Sequence, residues 1–164
     1  MILTIQTGAD NAILRQKSKP VNGIDKEILK FIKAMEKTMK KSKGIGLAAP
    51  QVGVGKRIIL VTLNEKKVVP MINPEILNHS DINEFAEEGC LSLPGKWGEI
   101  RRSKEIVVQF LDKKNQSQTL NLEGLNARVV QHEIDHLDGV LFTDYLSAEN
   151  GVLNVMNQKG IEIL

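Results

Sequence analysis

Residues 131–136, Gln-His-Glu-Ile-Asp-His, constrain the fold of this chain more than any other stretch. An α-helix turns by about 100° per residue, so side chains four positions apart lie on one face. On a helix, His132 and His136 can therefore bind the same divalent ion. Glu133 lies next to the pair and can reach water beside that ion without being a ligand. The pattern predicts a helix that carries a metal and a general base.

The sequence around this stretch favours a helix. Gly124 precedes it, and Gly139 is placed to end it. Apolar residues recur between the two glycines: Leu125, Val129, Val130, Ile134 and Leu137. The alternative is a helix with two solvated or hydrogen-bonded histidines and no metal, and the five-residue motif alone does not exclude it.

Length and composition predict one globular domain over residues 1–164. The chain is 41% hydrophobic and 26% charged, enough for a sizeable core. Its net charge of +2 is too small to indicate nucleic-acid binding. The single cysteine excludes an internal disulfide and suits a reducing compartment. No apolar run has the length of a signal core or membrane span, so we expect a cytosolic protein without a membrane partner, or an organellar one if a targeting segment was removed.

A second helix is predicted between Asp25 and Gly44. Apolar residues recur within it at helical spacing: Ile28, Phe31, Ile32, Met35 and Met39. Asp25 is placed as its N-cap and Gly44 as its C-terminal stop. The lysines near its end fit either a solvated helix face or a patch for an acidic partner. These are Lys37, Lys40, Lys41 and Lys43.

Runs of β-branched and apolar residues predict strands at 57–63, 68–72, 106–110 and 119–122. Asn73-Pro74 is predicted to end the second strand. The tail after Ser147 fits either a helix or a last short strand. The economical interpretation is one α+β domain, in which mixed or antiparallel sheets surround the core helix that carries the two histidines.

Residues 44–53, Gly-Ile-Gly-Leu-Ala-Ala-Pro-Gln-Val-Gly, form a second unusual stretch. Gly44 and Gly46 lie within an apolar run, which fits close approach by another backbone such as an extended peptide. Gln51 carries a neutral amide that can donate a hydrogen bond to a developing oxyanion. Taken alone, such a stretch more often marks a glycine-rich turn and a buried strand of small residues.

The third unusual stretch, residues 87–95, contains the single cysteine, Cys90. A tetrahedral catalytic metal site needs three protein ligands and one open position, and the helix motif supplies only two. Cys90 is the best remaining donor, because a cation would hold its thiolate deprotonated. A lone cysteine is otherwise more often a small buried hydrophobic residue. Gly89 beside it gives the backbone freedom.

In order and spacing, residues 44–51, 88–92 and 131–136 resemble the three signature motifs of the peptide deformylase family. The resemblance extends over about residues 13–146. It implies an enzyme that removes the formyl group from the N-terminal methionine of newly made polypeptides and releases formate. It also implies one divalent ion, Fe²⁺ in cells, with Zn²⁺, Ni²⁺ or Co²⁺ able to occupy the site. We expect a monomer that binds N-formyl-Met nascent peptides and no specific nucleic acid, and that contacts the ribosome transiently at most.

Carried over to this sequence, the resemblance implies that Cys90, His132 and His136 are the metal ligands. Glu133 becomes the general base and acid. Gln51 and the backbone N–H of Leu91 become donors to the oxyanion.

The resemblance also implies substrate-binding and supporting residues. The peptide backbone would lie along Gly44, Gly46 and Gly89. The methionine pocket would be bordered by Ile45, Leu125 and Val129. Behind the site, Glu88 would pair with Arg102. Trp97 and Arg128 fall at the rim of the pocket.

Two other kinds of protein remain as alternatives. A zinc endopeptidase shares the His-Glu-His helix but usually takes a third ligand downstream, where this chain has glutamates and no histidine. A non-catalytic relative would be expected to have lost Glu133, Gln51 or a ligand, and none is lost. Release of formate from a formylated Met dipeptide, together with a test for internal peptide cleavage, separates these alternatives.

Overall fold

The computed structural model describes residues 1–148 and Leu164. Its helices are α1 Ala12–Arg15, α2 Lys26–Lys41, α3 Gly124–Leu137 and α4 Phe142–Ala148. Its strands are β1 Gly46–Ala48, β2 Ile58–Leu63, β3 Lys67–His79, β4 Asn83–Cys90, β5 Leu93–Ser103, β6 Glu105–Leu111 and β7 Ser117–Glu123, with a short 3-10 helix at Ala49–Val52 after β1. Within the described residues, none of the helices has the length and apolar character to cross a membrane. The alternatives predicted for the tail after Ser147 fall almost wholly outside these residues.

Two antiparallel sheets surround α3. Five strands form the larger sheet in the order β1-β2-β3-β6-β7, and β4 and β5 form a separate hairpin. One face of α3 packs on the large sheet in a continuous apolar cluster. The side chain of Arg128, on another face of α3, donates to backbone oxygens of Ile100 and Glu84 in the hairpin. The predicted α+β class, with antiparallel sheets around a core helix, is confirmed.

The strand β2 explains why the large sheet is buried on both faces. Ile59 and Val61 point into the apolar cluster that contains α3. Ile58 and Leu60 point the other way, into a second cluster that contains the apolar face of α2. Alternate side chains of a strand face opposite sides, so a strand covered by helices on both sides is apolar throughout. This accounts for the unbroken hydrophobic run in the sequence.

The helix α2 begins as predicted but ends differently. The Asp25 carboxylate accepts the backbone N–H of Ile28 at 2.8 Å, which confirms Asp25 as the N-cap. Gly44 stands just past the end of the helix, as expected, and its N–H donates to the carbonyl oxygen of Met39 at 3.1 Å, but Lys43 and not Gly44 takes the left-handed conformation, with φ of 57°. Gly44 is small for another reason: a Cβ there would lie 2.9 Å from the side-chain Cδ1 of Leu91. This contact brings the chain after α2 against the loop that follows Cys90.

The prediction that Asn73-Pro74 ends a strand is wrong. The strand β3 continues from Lys67 to His79, with a register shift against β6 between Ile72 and Glu75. Asn73 adopts φ of 49° in this bulge, and its side chain bonds the backbone N–H and C=O of Val21 at 2.8 and 2.9 Å. A bulge accommodates a proline without a ladder hydrogen bond, so the strand bends and does not stop.

The β4–β5 hairpin has no counterpart among the predicted strands. The first five residues of β4 are all exposed, so the strand lacks the alternation of apolar and polar residues that marks a half-buried strand. Its buried end is polar instead: Glu88 on β4 and Arg102 on β5 are both buried and paired. A strand held by buried charges gives no hydrophobic signal in the sequence.

Candidate metal centre and active site

Three buried donor groups from two distant parts of the chain meet at one point. Cys90 ends β4, and His132 and His136 lie one turn apart on α3. The Cys90 Sγ lies 3.2 Å from Nε2 of His136. Ligand atoms of all three residues lie within 4.8 Å of one another, close enough for one ion to bind them. The structure therefore brings together the three residues that were predicted from the sequence to be metal ligands.

Several buried polar atoms at this point have no hydrogen-bond partner within the described part of the chain. They are Nε2 of His132, Nδ1 of His136 and both carboxylate oxygens of Glu133. The other nitrogen of His132, Nδ1, lies 2.9 Å from Glu88 Oε2, which leaves Nε2 directed away from this carboxylate. Buried polar groups without partners are costly and rare in proteins. A thiol, two imidazoles and an unpaired carboxylate together fit a divalent ion with a water beside it.

The protonation states of His136 and Cys90 are also consistent with a divalent ion at this point. Burial lowers the pKa of His136, with a further contribution from His132, so its ring is neutral, the form that binds metals. Burial and the nearby charge of Glu133 raise the pKa of the Cys90 thiol to about 12. Only a cation in direct contact would turn this thiol into a thiolate at neutral pH.

Glu133 is completely buried beside the ligands. Burial, reinforced by the negative charge of Glu88, raises its pKa well above the ordinary 4.5. A carboxyl group with a raised pKa can accept and return a proton near neutral pH. The carboxylate occupies space that a side chain at Gly46 would fill, since a Cβ there would overlap it.

Substitution of Gly46 by alanine is expected to displace Glu133 and lower kcat by about 10- to 100-fold, because misplacing a catalytic group by about 1 Å can cost 10²-fold. Gly23→Ala is the matched control, since a Cβ at Gly23 meets no atom and neither glycine has a left-handed backbone. The measurement is the steady-state turnover of both variants relative to wild type. Equal activity of the two variants would show that the Gly46 contact does not set the position of Glu133.

The amide of Gln51 is held in one orientation at the edge of the donor cluster. Its Oε1 accepts the backbone N–H of Ala48 at 2.8 Å, so its Nε2 must point the other way. That nitrogen lies 3.4 Å from Cys90 Sγ and 3.3 Å from Ser92 Oγ. Leu91 and Ser92 form the turn that connects Cys90 to β5. Ser92, whose role is not evident from the sequence, helps fix the direction in which Gln51 donates.

Two of the residues predicted to border the methionine pocket, Ile45 and Val129, pack in the same apolar cluster. Val129 is buried on α3, Leu125 is 39% exposed one turn earlier, and Ile45 packs against the apolar cluster that contains Val129. The same cluster contains Leu164, whose backbone N–H donates to the carbonyl oxygen of Gly89 at 3.3 Å. Leu164 is thus buried in an apolar cluster, beside a backbone carbonyl that accepts its N–H.

A buried network of ionic groups lies behind the ligands. Arg102 donates from Nε and Nη2 to the two oxygens of Glu88 at 2.9 and 3.0 Å. It also donates to Asp135 at 2.5 Å, which accepts the hydroxyl of Tyr145 at 2.8 Å. Burial alone would raise the pKa of Glu88, but the hydrogen bond from His132 and the charge of Arg102 outweigh it and lower the pKa below its usual range. Glu88 is therefore ionised.

Comparison with known proteins agrees with this site. The family model for polypeptide deformylase matches residues 2–151. The chain belongs to the polypeptide deformylase family. It is 48% identical over 141 residues to the peptide deformylase of Pelagibacter ubique, covering 84% of this chain and 82% of that protein. It is 44% identical over 135 residues to the enzyme of Natranaerobius thermophilus, covering 82% of this chain and 86% of that protein.

The fold agrees with the same family. The structure superposes on the crystal structure of peptide deformylase from Thermotoga maritima with a TM-score of 0.85 and 43% identity, covering 88% of this chain and 97% of that one. Members of the family remove the N-formyl group from newly made polypeptides in a metal-dependent hydrolysis. This chain is accordingly a deformylase-family enzyme, and its Cys90, His132 and His136 form a cluster that could hold a metal ion.

Two residues of this family member lie elsewhere than expected. Trp97 and Arg128 are buried, 5% and 6% exposed, and do not form a pocket rim. The Trp97 ring packs so closely on Gly89 that a Cβ there would overlap it. Gly89 is therefore required by this contact, because its backbone is not left-handed. Arg128 donates to Glu88 at 2.9 Å, a role that its spacing of four residues before His132 could have indicated.

Proposed function

We propose that residues 1–164 form one catalytic domain in which Cys90, His132 and His136 hold a single divalent ion, Fe²⁺ in the cell. The observation that carries the proposal is the meeting of three buried donors with an unpaired buried carboxylate. A thiolate and two imidazoles form a borderline-soft set that suits Fe²⁺ and also Zn²⁺, Ni²⁺ or Co²⁺. Such an ion supplies a hydrolytic nucleophile from water at neutral pH and polarises the formyl oxygen.

In this proposal Glu133 carries the proton. Its unpaired oxygens accept a proton from the attacking water and return it to the amine that leaves. The raised pKa of Glu133 supports this role, because the protonated form is accessible near neutral pH. The overlap that a Gly46 side chain would cause supports a fixed position for the carboxylate.

Gln51 and the backbone N–H of Leu91 would donate to the developing oxyanion. The hydrogen bond from Ala48 to Oε1 of Gln51 supports this, because it directs Nε2 toward the donor cluster before substrate binds. Donors fixed in advance stabilise charge without reorganising during the reaction.

The formylated peptide would lie along Gly44, Gly46 and Gly89, with its methionine side chain between Ile45, Leu125 and Val129. The bond that the Gly89 carbonyl makes to the N–H of Leu164 supports this, because a peptide substrate offers the same donor. The burial of Leu164 in the cluster that contains Val129 and contacts Ile45 supports a pocket for an apolar side chain such as the unbranched thioether of methionine.

We further propose a monomer in the bacterial-type cytoplasm, where formylated chains are made, that meets the ribosome transiently at most. In an organelle the same chemistry would serve the same substrates. An internal endopeptidase activity is not expected, since the proposed third ligand, Cys90, lies upstream of the helix, whereas a zinc endopeptidase usually takes its third ligand downstream.

The substrate experiment compares formyl-Met-Ala-Ser with acetyl-Met-Ala-Ser. The acetyl group is larger by one methyl, and discrimination per methylene is about 10- to 200-fold, so we expect kcat/KM to be at least about 10-fold higher for the formyl peptide. Formyl-Asp-Ala-Ser tests the apolar pocket and should react more slowly than the Met peptide. A similar rate on formyl and acetyl peptides would contradict the size argument, and a preference for Asp would contradict the pocket.

A further inference from the structure

Four hydrogen bonds converge on the buried carboxylate of Glu88. Arg102 supplies two of them, His132 one and Arg128 one, all between 2.9 and 3.0 Å. Glu88 is 0% exposed. Because water does not reach the Glu88 carboxylate, the geometry of its hydrogen-bond donors fixes its position.

The charges behind the site balance only when Arg128 is included. Arg102 is shared between two carboxylates, Glu88 at 2.9 Å and Asp135 at 2.5 Å. Arg128 supplies the second positive charge through its Nη1, which lies 2.9 Å from Glu88 Oε1. Without it, two carboxylates would share one guanidinium next to a ligand histidine. A buried charge left without a partner is strongly unfavourable.

Arg128 also joins the two elements that supply the ligands. It lies on α3 four residues before His132, so both side chains reach Glu88 from one helix face. Its Nη1 and Nη2 donate to the backbone oxygens of Ile100 and Glu84 at 2.8 and 2.7 Å. These bonds fix the hairpin, which carries Cys90 two residues after Glu88, against α3.

We infer that Arg128 is a positioning residue of the metal centre, which holds Glu88 so that His132 donates from Nδ1 and presents Nε2 to the ion. The inference rests on the proposed ligand set. It differs from a merely structural role, because the position of His132, and with it the affinity for the ion, depends on this guanidinium.

The test uses Arg128→Met, with Arg101→Met as the matched control. Arg101 lies on β5 and is exposed. Each variant of the full chain is titrated with Zn²⁺ against a competing chelator, and kcat and KM are measured for formyl-Met-Ala-Ser. Loss of groups that orient a ligand typically lowers metal affinity by about 10- to 100-fold. We expect a loss of that size and a lower kcat in Arg128→Met, KM within a few-fold of wild type, and no change in Arg101→Met.

The visible absorption of the Co²⁺ forms separates positioning from stability. A changed ligand arrangement shifts the Co²⁺ bands in Arg128→Met, whereas a protein that is only less stable keeps them. Wild-type Zn²⁺ affinity and Co²⁺ bands in this variant would overturn the inference. If Arg128→Met does not fold, Arg128→Lys tests the inference in its place, because lysine keeps the positive charge but not the guanidinium geometry. Reduced Zn²⁺ affinity then supports the inference, and wild-type affinity overturns it. Failure of wild type to bind one ion would refute the ligand set itself.

Discussion

Glu133→Gln is expected to lower kcat by about two to four orders of magnitude while the metal and the fold are retained, the usual loss for a general base. Glutamine has nearly the shape of glutamate but cannot accept the proton from water. Both carboxylate oxygens of Glu133 lack partners in the described part of the chain, so the substitution breaks no hydrogen bond there. Its pKa is raised by burial, so folding gains nothing from its charge.

The experiment measures formate release, metal content and thermal unfolding of the purified variant. Glu87→Gln is the control, because Glu87 is exposed on the same strand as Glu88 and outside the donor cluster. Metal content and melting temperature should match wild type in both variants, and only Glu133→Gln should lose activity. Activity of Glu133→Gln within a few-fold of wild type would mean that the proton is transferred by another group.

The metal cluster was predictable because its signals are local. His132 and His136 lie four residues apart on a helix that its own apolar pattern and glycines delimit. The third ligand followed from chemistry, since the chain has one cysteine and an open site needs a third donor. The long helix α2 and the strands of the large sheet were predicted for similar reasons. Their apolar residues repeat with the periods of a helix and a strand.

The rest could not be predicted because it depends on contacts between distant residues. The β4–β5 hairpin is anchored by buried charges on Glu88 and Arg102, which a hydrophobic pattern does not detect. Gly46 and Gly89 were interpreted as sites of backbone approach or flexibility. Both must also be small because Glu133 and the Trp97 ring occupy the adjacent space. Such requirements become visible only when the partner, which lies far along the chain in the case of Gly46 and Glu133, is placed beside the glycine.

Cys90→Ser and His136→Ala are expected to purify nearly without metal. A serine hydroxyl does not ionise at neutral pH, so it cannot replace a thiolate, and alanine supplies no donor at all. Groups that only orient a ligand already contribute about 10- to 100-fold to metal affinity, so removal of a ligand should cost more than about 100-fold. The expected order of Zn²⁺ affinity is wild type, then Arg128→Met, then either ligand variant.

Elemental analysis of proteins purified without oxygen measures this loss, and in the wild type it identifies the ion, which we expect to be iron. At these buried positions His136→Ala removes the ring and Cys90→Ser replaces sulfur by a smaller, more polar oxygen, so circular dichroism and thermal unfolding must show that each variant is folded. Ser18→Ala is a suitable reference, because Ser18 is also buried and polar and is not among the residues of the metal cluster. Full metal content in folded Cys90→Ser would exclude Cys90 as a ligand. The two histidines would then need a third donor from elsewhere, and the unpaired carboxylate of Glu133 would be the nearest candidate. If Glu133 were that donor, it could not also be the base, so the outcome with Cys90 bears on how the Glu133→Gln experiment is interpreted.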